Sequence, residues 1–481
     1  MSPGRWRACF AALALAVSAF AILQTLVVPA LPALRSDVGT SDAGITWLIT
    51  AFLISAAVAT PILGRLGERV GKDRALIATL GLLGAGSVLG ALAPSLGLLI
   101  VARVLQGAAG AILPLALGVV RDTTPAARAP GAIGLMATLV GVGGGTGLVL
   151  SGPLAEGIAV RWVFWMPAIV AAVTAVTVRL TLPRWRIQPA MRPRSDNGRG
   201  VDWRGAALLS ATSAGLLLAI SEGHAWGWTS PAVLGLLIAA PVLATLWVAV
   251  ERRTPQPLID VRLLHRNGAA AVHAATVFLG AGMFCRFALL PPFVHTPERF
   301  GFGFGADITT TGLLMVPTSV FVLVVGAAGG RIERRVGARA MLAGGLVLLG
   351  GSLLLFAWLH TAWWHIALSS ATTGVALGLA FGAAANLVVD AAPPDRTATV
   401  TAMNAVVRSI GGAIGAQVSA AVLVATATAG HASERGYVIA SAVVGVLVVA
   451  AAGLVRFVPR QPPKGMPDRI PPSTGKPLPV A

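Results

Sequence analysis

The chain has 481 residues, of which 56% are apolar and only 11% are charged, and its mean hydropathy is +0.81. A soluble protein cannot bury that share of apolar surface, so the composition excludes a large soluble domain. The formal net charge of +18 would suggest a nucleic-acid partner in a soluble chain. Here the basic residues lie in short segments between apolar stretches, so no such partner is expected.

Fourteen apolar stretches of membrane-spanning length follow one another from residue 8 to residue 457. The first begins like a secretory signal, but its apolar run continues to Leu34 without a cleavage site, so we interpret it as a span. The predicted spans cover residues 8–34, 44–63, 75–94, 97–120, 130–155, 162–182, 204–221, 231–250, 267–293, 308–328, 340–359, 364–389, 397–425 and 437–457.

The basic residues are divided unequally between the two sides of these spans. Of 36 Lys and Arg, 29 lie on one side, 4 on the other and 3 within spans, the last being Arg103, Arg286 and Arg408. Short cytoplasmic loops carry the excess of Lys and Arg in membrane proteins. The sequence therefore predicts a multi-pass protein of the cytoplasmic membrane with both termini in the cytoplasm.

An internal repeat groups the spans into two halves. The loop GRLGERVGKDR after span 2 (residues 64–74) returns after span 10 as GRIERRVGAR (residues 330–339), beginning at Gly64 and Gly330 and aligning Gly71 with Gly337. Two parallel six-helix repeats are a transporter architecture with the substrate site between the halves near mid-membrane. We predict an all-α integral membrane protein with six-helix bundles at 1–182 and 267–457. A linker with a transmembrane hairpin (spans 7 and 8) occupies 183–266, and a disordered cytoplasmic tail 458–481.

Motifs in this order resemble the major facilitator superfamily, and within it the fourteen-helix drug:proton antiporters. The loop GRLGERVGKDR is similar to the family's motif between helices 2 and 3, with Glu68 where Asp is usual. RVLQGAAGA is similar to the helix 4 motif, matching at Arg103, Gln106 and Gly107. The resemblance implies that the loop, including Glu68 and Arg69, forms a cytoplasmic latch that holds the outward-open state.

The resemblance continues in span 5 and fails in span 1. GTGLVLSGPLAEG resembles the helix 5 antiporter motif, with Gly152 and Pro153 in place and Glu156 where a Gly is usual. In span 1 Gln24 stands where the group commonly has an Asp. The family likeness implies a monomer that exports an amphipathic small molecule through the lipid bilayer in exchange for protons, without a cofactor.

Acidic residues are informative because none lies at mid-membrane. Proton-coupled carriers usually hold a carboxylate there, where burial brings its pKa into a useful range. Gln24 cannot titrate, so a proton-driven mechanism would have to use Glu156, Glu222 or Asp307 near the outer face, or His273 in span 9. Glu68, outside the bilayer centre, can accept hydrogen bonds from a neighbouring helix N-terminus.

Arginines, by contrast, do lie at membrane depth. Arg408 is about eleven residues into span 13, roughly 17 Å from its start at 1.5 Å per residue. Its partner is expected to be a carbonyl, a polar side chain such as Asn404 or Gln417, or the substrate itself. Arg103 and Arg286 lie nearer the outer face, where a long side chain can also snorkel.

Glycines crowd spans 5 and 13, and we interpret them as a pliable interface between the halves. Two other readings of the whole chain stay open. One is a proton-independent or anion-selective carrier of the same fold, which Gln24 and the arginines would suit. The other, an embedded enzyme or receptor, requires convergent nucleophile, base or metal ligands, and the 7 His residues are scattered. We expect neither an enzyme nor a metal site.

Overall fold

The computed structural model describes residues 3–125, 128–181, 202–254, 257, 261, 268–393, 396–427 and 431–459. Within these residues it is helical, without strands, and thirteen helices are long and apolar enough to cross a membrane. They are α1 (Pro3–Val38), α2 (Asp42–Val70), α3 (Lys72–Leu92), α4 (Leu96–Thr123), α5 (Ala129–Gly157), α6 (Trp162–Thr181), α7 (Trp203–Trp226), α8 (Pro231–Arg253), α9 (Ala269–His295), α10 (Ile308–Trp358), α11 (Trp363–Ala391), α12 (Thr397–Ala425) and α13 (Glu434–Ala451). Most of the predicted linkers and the predicted tail beyond Pro459 lie outside the described residues.

Predicted spans 10 and 11 are both contained in α10, whose backbone is interrupted at Gly337 with φ 82° and ψ 151°. Gly71, the matching residue of the first repeat, has φ 112° and separates α2 from α3. Side chains other than glycine rarely adopt such a φ, so both positions need glycine. The parts of α10 on either side, residues 308–336 and 338–358, are each long enough for a bilayer core of about 30 Å. The number of crossings, fourteen, stays a prediction.

Apolar packing gathers the helices into two groups. One cluster of buried side chains comes almost entirely from residues 272–458, and two others come mainly from residues 9–178. We call α1–α6 the N-terminal bundle and α9–α13 the C-terminal bundle. In lipid, helices associate through close packing and not by turning an apolar face away from water. The helices of both bundles are therefore apolar overall.

Glycines set the closest helix approaches within the C-terminal bundle. A Cβ atom at Gly411 would collide with the backbone carbonyl of Val277, and one at Gly415 with that of Ala281. These residues join α12 to α9 inside one bundle. The prediction that the span 13 glycines form an interface between the halves is therefore wrong.

The glycines of α5 allow close contact with two neighbouring helices. Gly143 and Gly147 face α1 in the same bundle, where a Cβ would meet the carbonyls of Ser18 and Ile22. Gly145 faces Ser319 of α10 in the other bundle. Part of the α5 cluster thus lies between the bundles, because alternate glycines point to opposite neighbours.

The inserted helix α7 lies in the groove between α2 and α12. Its middle contributes Leu217 and Ile220 to a buried cluster that also holds Ala57 of α2 and Val406 of α12. Near the start of α7 a second cluster joins the hairpin to α2 and α12 through Ile62 and Met403. α8 packs outside α7 and exposes a helical stripe, which is the side facing lipid: Leu234, Ile238, Val242 and Leu246.

Polar contacts fasten α7 to both bundles near its outer end. The Thr50 hydroxyl of α2 donates to Glu222 Oε1 at 3.2 Å. Gln417 of α12 donates from Nε2 to the carbonyl of Ser221 at 3.2 Å. Because α7 bonds to each bundle, it covers one of the two seams along which the bundles meet; along the other seam α5 packs directly on α10.

Candidate functional site

Two small cavities lie between the bundles and share Arg408, Leu113 and Ala405 in their walls. The first is lined by α1, α2, α4 and α12, and the second by α4, α5, α9, α11 and α12. The centre of a water molecule can move in only about 20 Å³ of the first and 30 Å³ of the second. A drug-sized ligand needs roughly 300 Å³ or more, so a substrate can occupy this place only after the bundles separate.

The structure separates the helix 4 motif from these cavities. Arg103 is 1% exposed, and its Nε donates to the carbonyl of Leu48 at 2.9 Å. Its Nη1 donates to Gln106 Oε1 at 2.9 Å, and Gln106 Nε2 donates to the Ser87 hydroxyl at 2.9 Å. The guanidinium also lies 4.3 Å from the ring centre of Phe52. Arg103 and Gln106 therefore hold α4 against α2 and α3 inside the N-terminal bundle.

The N-terminal bundle also contains a close helix contact at a glycine, and the C-terminal bundle contains a second arginine network. A Cβ at Gly107 would come within 2.5 Å of Ser55 Cβ on α2. In the C-terminal bundle Arg286, which is 2% exposed, donates from Nη2 to the hydroxyls of Ser369 at 2.7 Å and Ser370 at 3.1 Å. Neither Arg103 nor Arg286 snorkels to the membrane surface.

Arg408 differs from the other two membrane-depth arginines. Its guanidinium lies 5.2 Å from the ring centre of Phe381. It makes no hydrogen bond or ion pair with any residue in the described parts of the chain. The side-chain partners expected for it are engaged elsewhere: Asn404 donates to Thr276 Oγ1 at 3.2 Å, and Gln417 bonds to α7.

The remaining wall of the cavities is neutral. Gln24, Thr60 and Ser409 line the first cavity, and Asn404 lines the second. Among the described lining residues there is no carboxylate. Of the residues predicted for the substrate and proton pathway, the structure thus brings together three at the cavities: Gln24, Asn404 and Arg408. Three of the other four do not line them: Arg103, Gln106 and His273. The fourth is Glu156, whose side chain is not among those that the structure describes.

The candidate proton carriers are scattered. Asp307 caps the first turn of α10, where the Thr310 N–H donates to Oδ1 at 2.8 Å. Hydrogen bonds from Thr310 hold the pKa of this exposed carboxyl below its usual value, so it stays ionised at neutral pH. His273 is 8% exposed, and neither ring nitrogen has a hydrogen-bond partner among described residues. Glu222 is buried against Thr50, and the side chain of Glu156 lies outside the described residues.

The loop motif after α2 meets the other bundle directly. Glu68, whose side chain is 3% exposed, accepts from the Thr399 N–H at 2.8 Å and from the Thr399 hydroxyl at 2.6 Å. Thr399 lies in the first turn of α12, where backbone N–H groups have no partner within the helix and where the N-cap Arg396 supplies no side-chain bond. A carboxylate of α2 therefore caps a helix of the C-terminal bundle.

The residues around Glu68 make this approach possible. Arg65 pairs with its Oε2 at 3.4 Å. A Cβ at Gly64 would lie 3.2 Å from the carbonyl of Ala398, so a larger residue would push α2 away from α12. Arg69 follows in the last turn of α2.

The second copy of the loop makes the reciprocal contact. Gly330 meets Gly131 of α5, where a Cβ would come within 2.7 Å of the Gly131 Cα. Asn386 donates from Nδ2 to Glu333 Oε2 and, at 3.1 Å, to the carbonyl of Pro130. Each repeated loop therefore touches the start of a helix in the opposite bundle.

A third contact at this end of the bundles was not predicted. Arg121 at the end of α4 donates to the Thr397 hydroxyl at 2.6 Å and to the carbonyl of Ala392 at 3.0 Å. The end of α4, VVRDTTPAAR (residues 119–128), is repeated as LVVDAAPPDR (residues 387–396), but the residue aligned with Arg121 is Val389, so the repeat carries no signal for this contact. Glu68, Asn386 and Arg121 together close one end of the two bundles on each other.

Comparison with known proteins agrees with this architecture. The family model described as Major Facilitator Superfamily matches residues 13–416. The tetracenomycin C resistance and export protein of Streptomyces glaucescens is 27% identical over 423 residues, which is 85% of this chain and 74% of that protein. A multidrug transporter protein of Bacillus subtilis is 24% identical over 404 residues, covering 83% of this chain and 72% of its own.

Other similarities differ in extent. An uncharacterized MFS-type transporter of Mycobacterium tuberculosis is 28% identical over 395 residues; the match covers 81% of this chain but 55% of the relative, so the chain spans about half of that protein's length. The crystal structure of the human organic anion transporter MFSD10 superposes with a TM-score of 0.65 and 17% identity, over 95% of this chain and 100% of that one. At this identity the likeness concerns the fold alone.

Proposed function

The chain belongs to the major facilitator superfamily, and on that premise we propose that it exports amphipathic organic compounds of the drug or antibiotic class across the cytoplasmic membrane in exchange for protons. The observation that carries the proposal is that Glu68 of the N-terminal bundle bonds to Thr399 of the C-terminal bundle and closes one end of the bundle interface over the cavities. We assign this end to the cytoplasm from the charge distribution. Relatives named for multidrug transport and antibiotic export support the direction and the substrate class.

We propose that the two ends of the interface between the bundles open in turn, which gives alternating access. In our proposal the cytoplasmic latch, formed by Glu68 and the reciprocal contact of Asn386, holds the inner side shut while the outer side opens. Breaking the latch lets the bundles at 1–182 and 267–457 rock about Arg408 and expose the cavity to the cytoplasm. Gly64 and Gly330, the first glycines of the two repeated loops, lie at the points where the bundles touch.

Proton coupling is proposed to use Glu156 in the last turn of α5. We expect Glu156→Gln to leave substrate binding unchanged and to remove the dependence of efflux on a pH gradient, because an amide keeps the shape and loses only the titration. Efflux from proteoliposomes with and without the gradient measures this. Asp307→Asn is the matched control: its carboxyl stays charged at neutral pH, so its loss should leave the coupling intact.

A carrier that works without protons is the second candidate. It is favoured by Gln24 at the position where the family commonly has an acid and by the lack of a carboxylate in the described cavity walls. Efflux by the unmodified protein that is equally fast with and without a pH gradient would support this candidate and contradict the exchange.

Membrane orientation is proposed from the charge distribution, with both termini in the cytoplasm. Reporter fusions after Gly71 and Arg335 should report cytoplasm, and fusions near Ala225 and Glu298 the outside. A cytoplasmic signal at Ala225 would show that the α7–α8 hairpin does not cross the membrane.

A further inference from the structure

Arg408 carries a charge that nothing in the described structure balances. Arginine stays protonated at any physiological pH. A guanidinium near the bilayer centre is costly to bury, so such residues normally pair or line a water-filled space. Arg103 and Arg286 pair with carbonyl and hydroxyl oxygens, whereas Arg408 lines both central cavities without a partner.

The backbone of Arg408 is fixed even though its side chain is not bonded. A Cβ at Gly280 of α9 would collide with the Arg408 carbonyl, so the two helices touch at this residue. The neighbouring Gly412 packs under the ring of Phe284. The backbone of Arg408 is therefore held at a constant height, and from this fixed point the side chain reaches both cavities between the bundles.

We propose that Arg408 binds the acidic group of the substrate, and that the preferred substrates are amphipathic organic anions bearing a carboxylate. This inference rests on the proposed export function and specifies its substrate class. A planar guanidinium matches a carboxylate with two parallel hydrogen bonds. Gln24 in the wall of the first cavity adds a neutral donor, and the rings of Phe20 and Phe381 offer an apolar surface to the body of the ligand.

The charge of the site argues against cationic substrates. A cation entering either cavity would approach Arg408 and would find no carboxylate among the described lining residues to compensate. Like charges at short distance in a medium of low dielectric constant repel strongly. An anion instead gains the charge that the site lacks.

The test compares two probes that differ only in charge, 2-naphthoate and 2-naphthamide. Binding is measured calorimetrically on the full-length protein in lipid nanodiscs, with empty nanodiscs as the blank. We expect the protein to bind the acid more tightly than the amide. Arg408→Gln should weaken binding of the acid by roughly 10- to 100-fold, the range for one charged hydrogen-bonded contact, and change amide binding less than about 2-fold.

Two further variants keep the result interpretable. Arg408→Lys retains the charge without the planar fork, so acid binding should fall between that of the unmodified protein and Arg408→Gln. Arg299→Gln removes one exposed positive charge outside the bundles and should leave the preference unchanged. An acid-to-amide ratio that is the same in the unmodified protein and in Arg408→Gln overturns the inference.

Vesicle transport separates this failure from failure of the proposed function. Export of the amide and of a naphthylmethylamine at the same rate as the acid, unaffected by Arg408→Gln, leaves export standing and overturns the anion preference. Absence of export for all three compounds, together with absence of their binding, contradicts both the preference and the function on which it rests.

Discussion

Replacing Glu68 with alanine is expected to reduce export at least about 10-fold while the protein still inserts and folds. The carboxylate makes two hydrogen bonds to Thr399, and each charged hydrogen bond contributes roughly 1.5–3 kcal/mol. Losing both removes the cap of α12 and shifts the equilibrium toward the state with an open cytoplasmic side. Transport by purified protein in proteoliposomes, normalised to the amount inserted, measures the effect.

The distance between the two bundles gives an independent measurement of the effect of Glu68→Ala. Arg74 and Arg335 are exposed in the two repeated loops, one on each bundle, and the native Cys9 and Cys285 are buried. Spin labels on cysteines placed at 74 and 335 should therefore report a longer distance in Glu68→Ala. Thr399→Val keeps the backbone N–H and should have a smaller effect. Normal transport and an unchanged distance in Glu68→Ala would contradict the latch.

The largest loss of stability is expected for Gly411→Ala. Its new methyl group would collide with the carbonyl of Val277, and this backbone cannot move without separating α9 from α12. Overpacking of this kind typically costs about 1–3 kcal/mol. The apparent melting temperature in detergent should fall by roughly 1–3 °C, and the yield of correctly folded protein should decline.

Gly351→Ala is the control for this prediction, because no atom lies within 4 Å of the new methyl group in the helix interior of α10. Alanine is also the better helix former by about 0.5–1 kcal/mol, so this variant should be neutral or slightly more stable. Equal melting temperatures for the two variants would show that the α9–α12 contact is looser than the geometry states.

Periodicity and the repeat predicted much of this structure. Gly71 and Gly337 were matched from sequence alone, and both adopt a positive φ at equivalent places. The apolar spans follow from hydropathy because lipid requires long helices. Spans 10 and 11 were separated by a charged loop in the prediction, whereas α10 continues through that loop with a single interruption.

Contacts between helices were harder to predict. Lipid-facing and protein-facing sides of a span are both apolar, so a sequence does not state which neighbour a helix meets. The Glu68 contact joins residues 331 positions apart. Glu68 was expected to meet a helix N-terminus, but nothing in the sequence selected Thr399. The same limit explains why the sequence did not predict that Arg103 is hydrogen-bonded inside one bundle and that the Arg408 guanidinium lines the cavities between the bundles.

The position of α7 has a consequence for how lipid-soluble compounds reach the transporter. Many amphipathic molecules dissolve in a leaflet of the bilayer and diffuse sideways within it. On the α2–α12 side they meet α7 and α8, which seal that seam with the apolar clusters around Leu217 and Trp247. If the proposed export function holds, we expect lateral entry only on the α5–α10 side, in a state where these two helices have separated. The hairpin then makes a carrier of two similar halves one-sided toward the membrane that surrounds it.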